Sequence, residues 1–69
     1  MSKLSERMKS LRKSRGLKQT AAAESIGLSY MSYRRYETGE REPGVSTLWK
    51  IADFYGVSVD YLIGRSEER

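Results

Sequence analysis

The stretch that decides the fold is QTAAAESIGLSYMSYRRYETG, residues 19–39. It contains a run of three alanines, residues 21–23, and alanine has the highest helix propensity of any residue. Gly27 ends this first helix-forming segment, and Ser29, a preferred N-cap residue, stands directly before a second one. The sequence therefore predicts two short helices, from about Gln19 to Ser25 and from about Tyr30 to Glu37.

The turn between these two helices is only four residues long, 26–29. A turn this tight requires a residue with positive φ, and glycine adopts that conformation without a steric penalty. Two short helices joined in this way form a helix-turn-helix arrangement.

Further helices are predicted on both sides of this unit. Leu4, Met8 and Leu11 repeat at helical spacing and predict a first helix from about Lys3 to Arg15. After Pro43, serines at positions 46 and 58 are expected to cap two more helices, residues 47–55 and 59–63. We expect an all-α, compact five-helix bundle with a helix-turn-helix, a domain over residues 1–64 and a flexible C-terminal tail over residues 65–69.

The composition excludes several classes of function. The chain has no Cys and no His, which rules out disulfides, zinc fingers, thiol catalysis and His-based acid–base chemistry. No apolar run approaches the roughly 18–20 residues of a membrane span, and the first nine residues are polar. We therefore expect a soluble cytoplasmic protein that needs no cofactor and no metal.

Charge is distributed unevenly along the chain. Residues 1–41 hold ten basic and four acidic residues (10 − 4 = +6), whereas residues 42–69 hold three basic and five acidic residues (3 − 5 = −2). A basic part of this kind favours a nucleic-acid partner, although scattered solvated cations would give the same count.

Taken together, the sequence resembles the lambda-repressor-like, Cro/C1-type (Xre-type) helix-turn-helix domains over nearly its whole length. The residues that carry the resemblance are Leu17-Lys18-Gln19, Ala23, Gly27-Leu28-Ser29, Tyr36-Glu37-Thr38-Gly39, Arg41, Pro43, Thr47-Leu48, Ile51-Ala52, Gly56-Val57-Ser58-Val59 and Leu62. The chain departs from the family at three positions. Lys18 replaces a capping Thr or Ser, Ala22 replaces a frequent Leu, and Tyr33 replaces a frequent Ile or Val. We expect the larger Tyr33 to fill the volume that Ala22 leaves.

The resemblance implies that the second helix of the motif enters the DNA major groove. Its outward positions supply the candidate base contacts, which are Tyr30, Met31, Arg34 and Arg35. The guanidinium of Arg35 suits guanine, whereas Arg34 is better placed for phosphate or solvent. Tyr33 and Tyr36 fall on core positions instead.

Other polar residues are candidate contacts to the DNA backbone. They are Gln19, Ser29, Ser32, Thr38 and Arg41. In the family, the residue at the position of Gln19 typically reaches a phosphate and supports a side chain of the recognition helix. The resemblance also implies a structural salt bridge between Arg12 and Glu37.

A single recognition helix contacts only a few base pairs, so a specific site usually needs two copies of the protein. Candidates for a homodimer surface are Trp49, Val57, Val59, Tyr61 and Ile63. The same residues could instead complete the core of a small domain, and the sequence does not separate these alternatives.

The function predicted from these features is sequence-specific binding of double-stranded DNA by a bacterial or phage transcriptional regulator, most simply a repressor. The alternative is a protein-interaction module or antitoxin-like protein of the same fold, which would have no need for a complete DNA face. An enzyme is not expected, because the sequence contains no nucleophile–base pair and no phosphate-binding glycine loop.

Overall fold

The computed structural model describes residues 3–69, and residues 1 and 2 lie outside the described part. It contains five helices, which are α1 Lys3–Ser14, α2 Gln19–Ile26, α3 Tyr30–Thr38, α4 Val45–Tyr55 and α5 Val59–Leu62. Residues 3–69 form no strand, so the predicted all-α architecture is confirmed. None of these helices combines the length and the apolar character needed to cross a bilayer.

The turn between α2 and α3 has the predicted geometry. Gly27 adopts φ 94° and closes α2 by donating its N–H to the carbonyls of Ala23 and Glu24. Ser29 caps α3, because its hydroxyl oxygen accepts a hydrogen bond of 3.1 Å from the backbone N–H of Ser32. The direction of α3 relative to α2 is therefore set by a left-handed glycine followed at once by a helix cap.

The starts of α2 and α4 lack a side-chain cap. Lys18 occupies the N-cap of α2 without a capping hydrogen bond, as its chemistry predicted. The expected cap at Ser46 was wrong, since α4 begins earlier, with Gly44 as its N-cap. The carbonyl of Gly44 already accepts the N–H of Leu48 at 2.9 Å. Glycine at an N-cap costs only a few tenths of a kcal/mol relative to serine, so the helix extends to Val45.

Each of the five helices makes its main contacts with two others. The helix α3 contacts α1 and α2, while α4 contacts α2 and α5, and α5 returns to α1. The apolar core beneath these contacts comprises Leu4, Met8, Leu11, Ala22, Ala23, Tyr33, Tyr36, Ile51, Ala52, Tyr55 and Leu62. Both tyrosines assigned to the core of α3 are therefore buried. In the centre of this core the hydroxyls of Tyr33 and Tyr55 share a hydrogen bond of 2.5 Å.

A buried carboxylate, that of Glu37, joins α3 to the helices around it. Its Oε2 accepts a hydrogen bond of 2.7 Å from Arg12 Nε, and its Oε1 accepts bonds from Arg12 Nη2 at 3.2 Å and from Gln19 Nε2 at 3.0 Å. Arg12 also donates to the carbonyl of Leu17 at 2.8 Å, which fixes the loop before α2. The predicted Arg12–Glu37 ion pair is present, and the Glu37 side chain is completely enclosed.

Two opposing effects act on the pKa of this carboxyl. Burial alone raises the pKa of Glu37, because the charged form loses its hydration. Hydrogen bonds from Arg12 and Gln19, together with the positive charge of Arg12, outweigh the burial and hold the pKa of Glu37 below its usual value. The ionised form is therefore the one that the fold stabilises.

The C-terminal residues, 65–69, were expected to be a flexible tail, and the structure gives them specific contacts. Arg7 donates hydrogen bonds to the carbonyls of Tyr61 and Ser66, and it forms a salt bridge of 3.0 Å with Glu67. The backbone N–H of Ser58 donates to the carbonyl of Arg69 at 2.8 Å. The segment folds back over α1 and α5 in this conformation, while the division of the chain at residue 64 stays a prediction.

Substitution of Ala22 by leucine tests whether Tyr33 fills the volume that the small Ala22 side chain leaves in the core. Neither residue has any exposed surface, so three additional carbon atoms have no free space. We expect Ala22→Leu to lower the free energy of unfolding in urea by about 1–3 kcal/mol. Ala21, the half-buried neighbour of Ala22, provides a matched control, since Ala21→Leu should change the free energy of unfolding little. A rise in melting temperature for Ala22→Leu with Tyr33 intact would show that the volumes are not coupled.

The acid sensitivity of the fold tests the Glu37 network. Since the folded-state pKa of Glu37 lies below the unfolded value of about 4.3, its contribution to stability is complete above that pH. The contribution is lost as the pH falls through the folded-state pKa. Urea unfolding of the wild type between pH 7 and pH 2 should show this loss, and Glu37→Gln should flatten it. An identical acid profile for the variant would contradict the assignment.

Candidate nucleic-acid interface

The helix α3 presents two faces with different surroundings. Its inner face carries Tyr33, Tyr36 and Glu37, which are buried where α3 packs on α1 and α2. Its outer face carries Tyr30 and Met31, of which 43% and 50% of the surface remains exposed. Large aromatic and apolar side chains that stay exposed beside a fully packed inner face are available for a partner.

The four predicted base-contact residues lie together on this outer face. Tyr30 and Arg34 are one helical turn apart, as are Met31 and Arg35, so the four side chains form two adjacent rows. Arg35 is exposed and Arg34 is half-buried. The rows combine two apolar or aromatic groups with two guanidinium groups, which is the chemistry that base edges and phosphates accept. Their role as base contacts stays a prediction.

The arginines at this face are not engaged in ion pairs. Over residues 3–69 the two salt bridges use Arg7 and Arg12, both of which lie on α1. Arg34, Arg35 and Arg41 therefore keep their positive charge free for an anionic partner. This separation of structural and surface arginines was not visible in the charge count alone.

The hydroxyl groups predicted to contact phosphate differ in their freedom to donate. The oxygen of Ser29 accepts the Ser32 N–H, which leaves the hydroxyl hydrogen of Ser29 available. Thr38 instead donates its hydrogen to the carbonyl of Arg35 at 3.1 Å and accepts from the N–H of Glu40 at 3.4 Å. A phosphate contact from Thr38 would require breaking the first of these bonds, so Ser29 is the better candidate.

Gln19 and Arg41 complete the predicted backbone contacts. Gln19, half-buried at the start of α2, donates one N–H to the buried Glu37 of α3. It therefore supports the recognition helix through a residue of the inner face. Arg41 is exposed and follows Gly39, the left-handed C-cap of α3.

The candidates for a dimer surface separate into two groups. Val57, Val59 and Tyr61 are half-buried and pack against the core, and Tyr61 also stacks under the guanidinium of Arg7 at 4.0 Å. Trp49 and Ile63 are exposed at 58% and 37%. The structure thus gives the first three a role in the core of the domain and leaves the other two at the surface.

Two features were missed in the sequence. Val45 is 73% exposed one turn before Trp49 and extends the apolar surface of α4, whereas the helix predicted over residues 47–55 does not include it. The hydroxyl of Tyr55 pairs with Tyr33, and no local pattern in the sequence indicates that partner.

The sequence of the chain is similar to those of known helix-turn-helix regulators. A helix-turn-helix family model matches residues 8–62, which includes α2, α3 and their turn. The chain is 43% identical over 63 residues to the cryptic phage CTXphi transcriptional repressor RstR of Vibrio cholerae, covering 91% of this chain and 56% of that protein. It is 40% identical over 58 residues to the SPbeta prophage-derived HTH-type transcriptional regulator YonR of Bacillus subtilis, covering 84% of this chain and 54% of that protein. The chain therefore spans about half the length of these curated relatives.

Solved structures show the same arrangement of helices. The P22 c2 repressor, crystallised with a synthetic operator, superposes with a TM-score of 0.85 at 27% identity, covering 91% of this chain and 96% of that chain. A transcriptional regulator from Listeria innocua superposes with a TM-score of 0.82 at 29% identity, covering 96% of this chain and 62% of that chain. By sequence and by fold, the chain belongs to the Cro/C1-type helix-turn-helix family of DNA-binding domains.

Proposed function

We propose that the chain binds double-stranded DNA sequence-specifically through the outer face of α3 and acts as a transcriptional repressor. The observation that carries the proposal is the asymmetry of α3. Its inner face is fixed by the core and by the Glu37 network, whereas Tyr30, Met31 and Arg35 remain exposed. The P22 c2 repressor, which shares the fold, was solved with an operator, and this supports the proposal.

The roles of the side chains follow from their chemistry. Arg35 can donate two parallel hydrogen bonds to the O6 and N7 atoms of guanine in the major groove. Tyr30 and Met31 can pack against a thymine methyl group. Ser29 and Arg41 donate to phosphates, which positions the domain without selecting a sequence.

Occupancy of a promoter by such a domain blocks polymerase without any catalytic chemistry, so repression is the simplest outcome. We place this activity in the cytoplasm, where bacterial DNA is found. The phage protein RstR, which is 43% identical to the chain over 63 residues, is a transcriptional repressor, and this supports the proposed outcome.

Selection from a randomised DNA pool tests the assignment of α3. We expect the wild type to enrich a near-palindromic sequence at near-physiological salt. Arg35→Ala should relax the preference at one position in each half-site, with a loss of about 1–3 kcal/mol of discrimination there. The measurement is sequencing of the bound fraction at a fixed salt concentration, because phosphate contacts make affinity strongly salt-dependent.

The charge-matched control is Arg65→Ala, which removes one positive charge from an exposed residue of the C-terminal segment. This variant should enrich the same sequence as the wild type. If the wild type enriches no sequence and shows only weak, salt-sensitive binding, the operator model fails and a protein partner becomes the better explanation.

We further propose that two copies of the chain occupy one operator. Specific sites for this class of domain consist of two half-sites one helical turn, or about 34 Å, apart. The apolar side chains exposed on α4, Val45 and Trp49, together with Ile63 after α5, form the surface proposed for the second copy. So few side chains bury far less than the roughly 800 Å² per partner of a stable interface, so association should be weak without DNA.

Removal of the exposed tryptophan tests this association. Trp49→Ala should reduce cooperative binding to a duplex with two half-sites and leave binding to a single half-site unchanged. Gel-shift titrations on the two duplexes measure the difference, and Lys50→Ala, an exposed polar neighbour on α4, is the control. Unchanged cooperativity in Trp49→Ala would remove α4 from the dimer surface.

A further inference from the structure

The side chains of Gln19 and Glu37 link the two helices of the DNA-binding motif. Gln19 is the first residue of α2, and Glu37 lies near the end of α3. Gln19 Nε2 donates a hydrogen bond of 3.0 Å to Glu37 Oε1. Within residues 3–69, this is the one hydrogen bond that joins a side chain of α2 to a side chain of α3. Glu37 is buried and Gln19 half-buried, so the linked pair extends from the core towards the surface.

The chemistry of the pair fixes the orientation of the amide. An ionised carboxylate can only accept hydrogen bonds, so the NH₂ group of Gln19, and not its carbonyl oxygen, must face Glu37. That NH₂ group carries two hydrogens, and Glu37 uses one of them. The other remains available to an acceptor outside the core.

A DNA phosphate is an acceptor of this kind, and it cannot bond to the carbonyl end of an amide. We infer that Glu37 is a positioning residue for DNA binding, because it holds the Gln19 amide with its second N–H available to a backbone phosphate. The inference rests on the proposed function and assigns to the buried ion pair a role at the DNA surface in addition to its role in the fold.

The surroundings of the pair favour a fixed geometry. Arg12 holds both oxygens of the carboxylate and also the carbonyl of Leu17, two residues before Gln19. The backbone that leads into α2 is therefore anchored to Arg12, and the side chain that starts α2 is anchored to its ion-pair partner Glu37. Gln19 does not have to be immobilised when DNA arrives, which lowers the entropic cost of the contact.

A double-mutant cycle tests the coupling. The four proteins are the wild type, Gln19→Ala, Glu37→Gln and the double variant, and the measurement is the Kd for the selected duplex. Gln19→Ala should weaken binding about tenfold, as expected for the loss of one hydrogen bond to a charged acceptor. Glu37→Gln should also weaken binding, since an amide at position 37 no longer dictates which end of Gln19 faces inwards.

The decisive result is the effect of Glu37→Gln in the two backgrounds. If Glu37 acts through Gln19, the substitution has no further effect once Gln19 is alanine. If it weakens binding by the same factor in both backgrounds, Glu37 acts through the fold alone and the inference is overturned. Ser25→Ala, exposed at the other end of α2, should match the wild type.

A measurement on the wild type covers the case in which Glu37→Gln does not fold. The two side-chain NH₂ protons of Gln19 give separate signals in a ¹⁵N-correlated spectrum, assigned by their loss in Gln19→Ala. On addition of the selected duplex, the proton directed away from Glu37 should shift while the other changes little. Absence of any shift in a saturated complex overturns the inference but leaves DNA binding established, whereas a wild type that binds no selected duplex overturns both.

Discussion

The rest of the structure depends on the burial of one negative charge, the carboxylate of Glu37. An ionised carboxyl group is tolerated in a protein interior only if it is paired and its oxygens are hydrogen-bonded. Arg12 provides the charge and Gln19 a further donor, so that α1, α2 and α3 must meet at one point. The loss of Arg12 would leave the buried charge unpaired, and the loss of Gln19 would remove one of its donors, which is why the relative positions of these helices are strongly constrained.

This constraint divides α3 into a structural face and a free face. The inner side chains are held by the carboxylate network and by the hydroxyl pair of Tyr33 and Tyr55, which adds a polar connection to the end of α4. The outer side chains contribute little to stability and can therefore be chosen for their chemistry towards a partner. A packed inner face fixes the position of α3 and leaves its outer side chains available to a partner. This arrangement favours preorganised recognition, because the helix does not need to be ordered on binding.

A domain of this size also needs stabilising interactions at its ends. Arg7 supplies one of them, because it stacks on Tyr61 and bonds to two carbonyls and a carboxylate of the C-terminal region. The arginines of this chain therefore have two kinds of role. Arg7 and Arg12 on α1 are half-buried and hold the fold together, whereas Arg34, Arg35 and Arg41, on and after α3, form no salt bridge within residues 3–69.

The sequence alone determined the helices, their order and the turn of the motif, because helical periodicity, glycines and capping residues act over a few positions. Family resemblance added the Arg12–Glu37 pair and the outward residues of α3. Only the tertiary structure decided that Tyr55 is the partner of Tyr33, that Arg7 holds the C-terminal segment, and that Val45 lies exposed on α4. These features depend on contacts between residues far apart in the chain or on a helix boundary, and local sequence patterns carry little information about either.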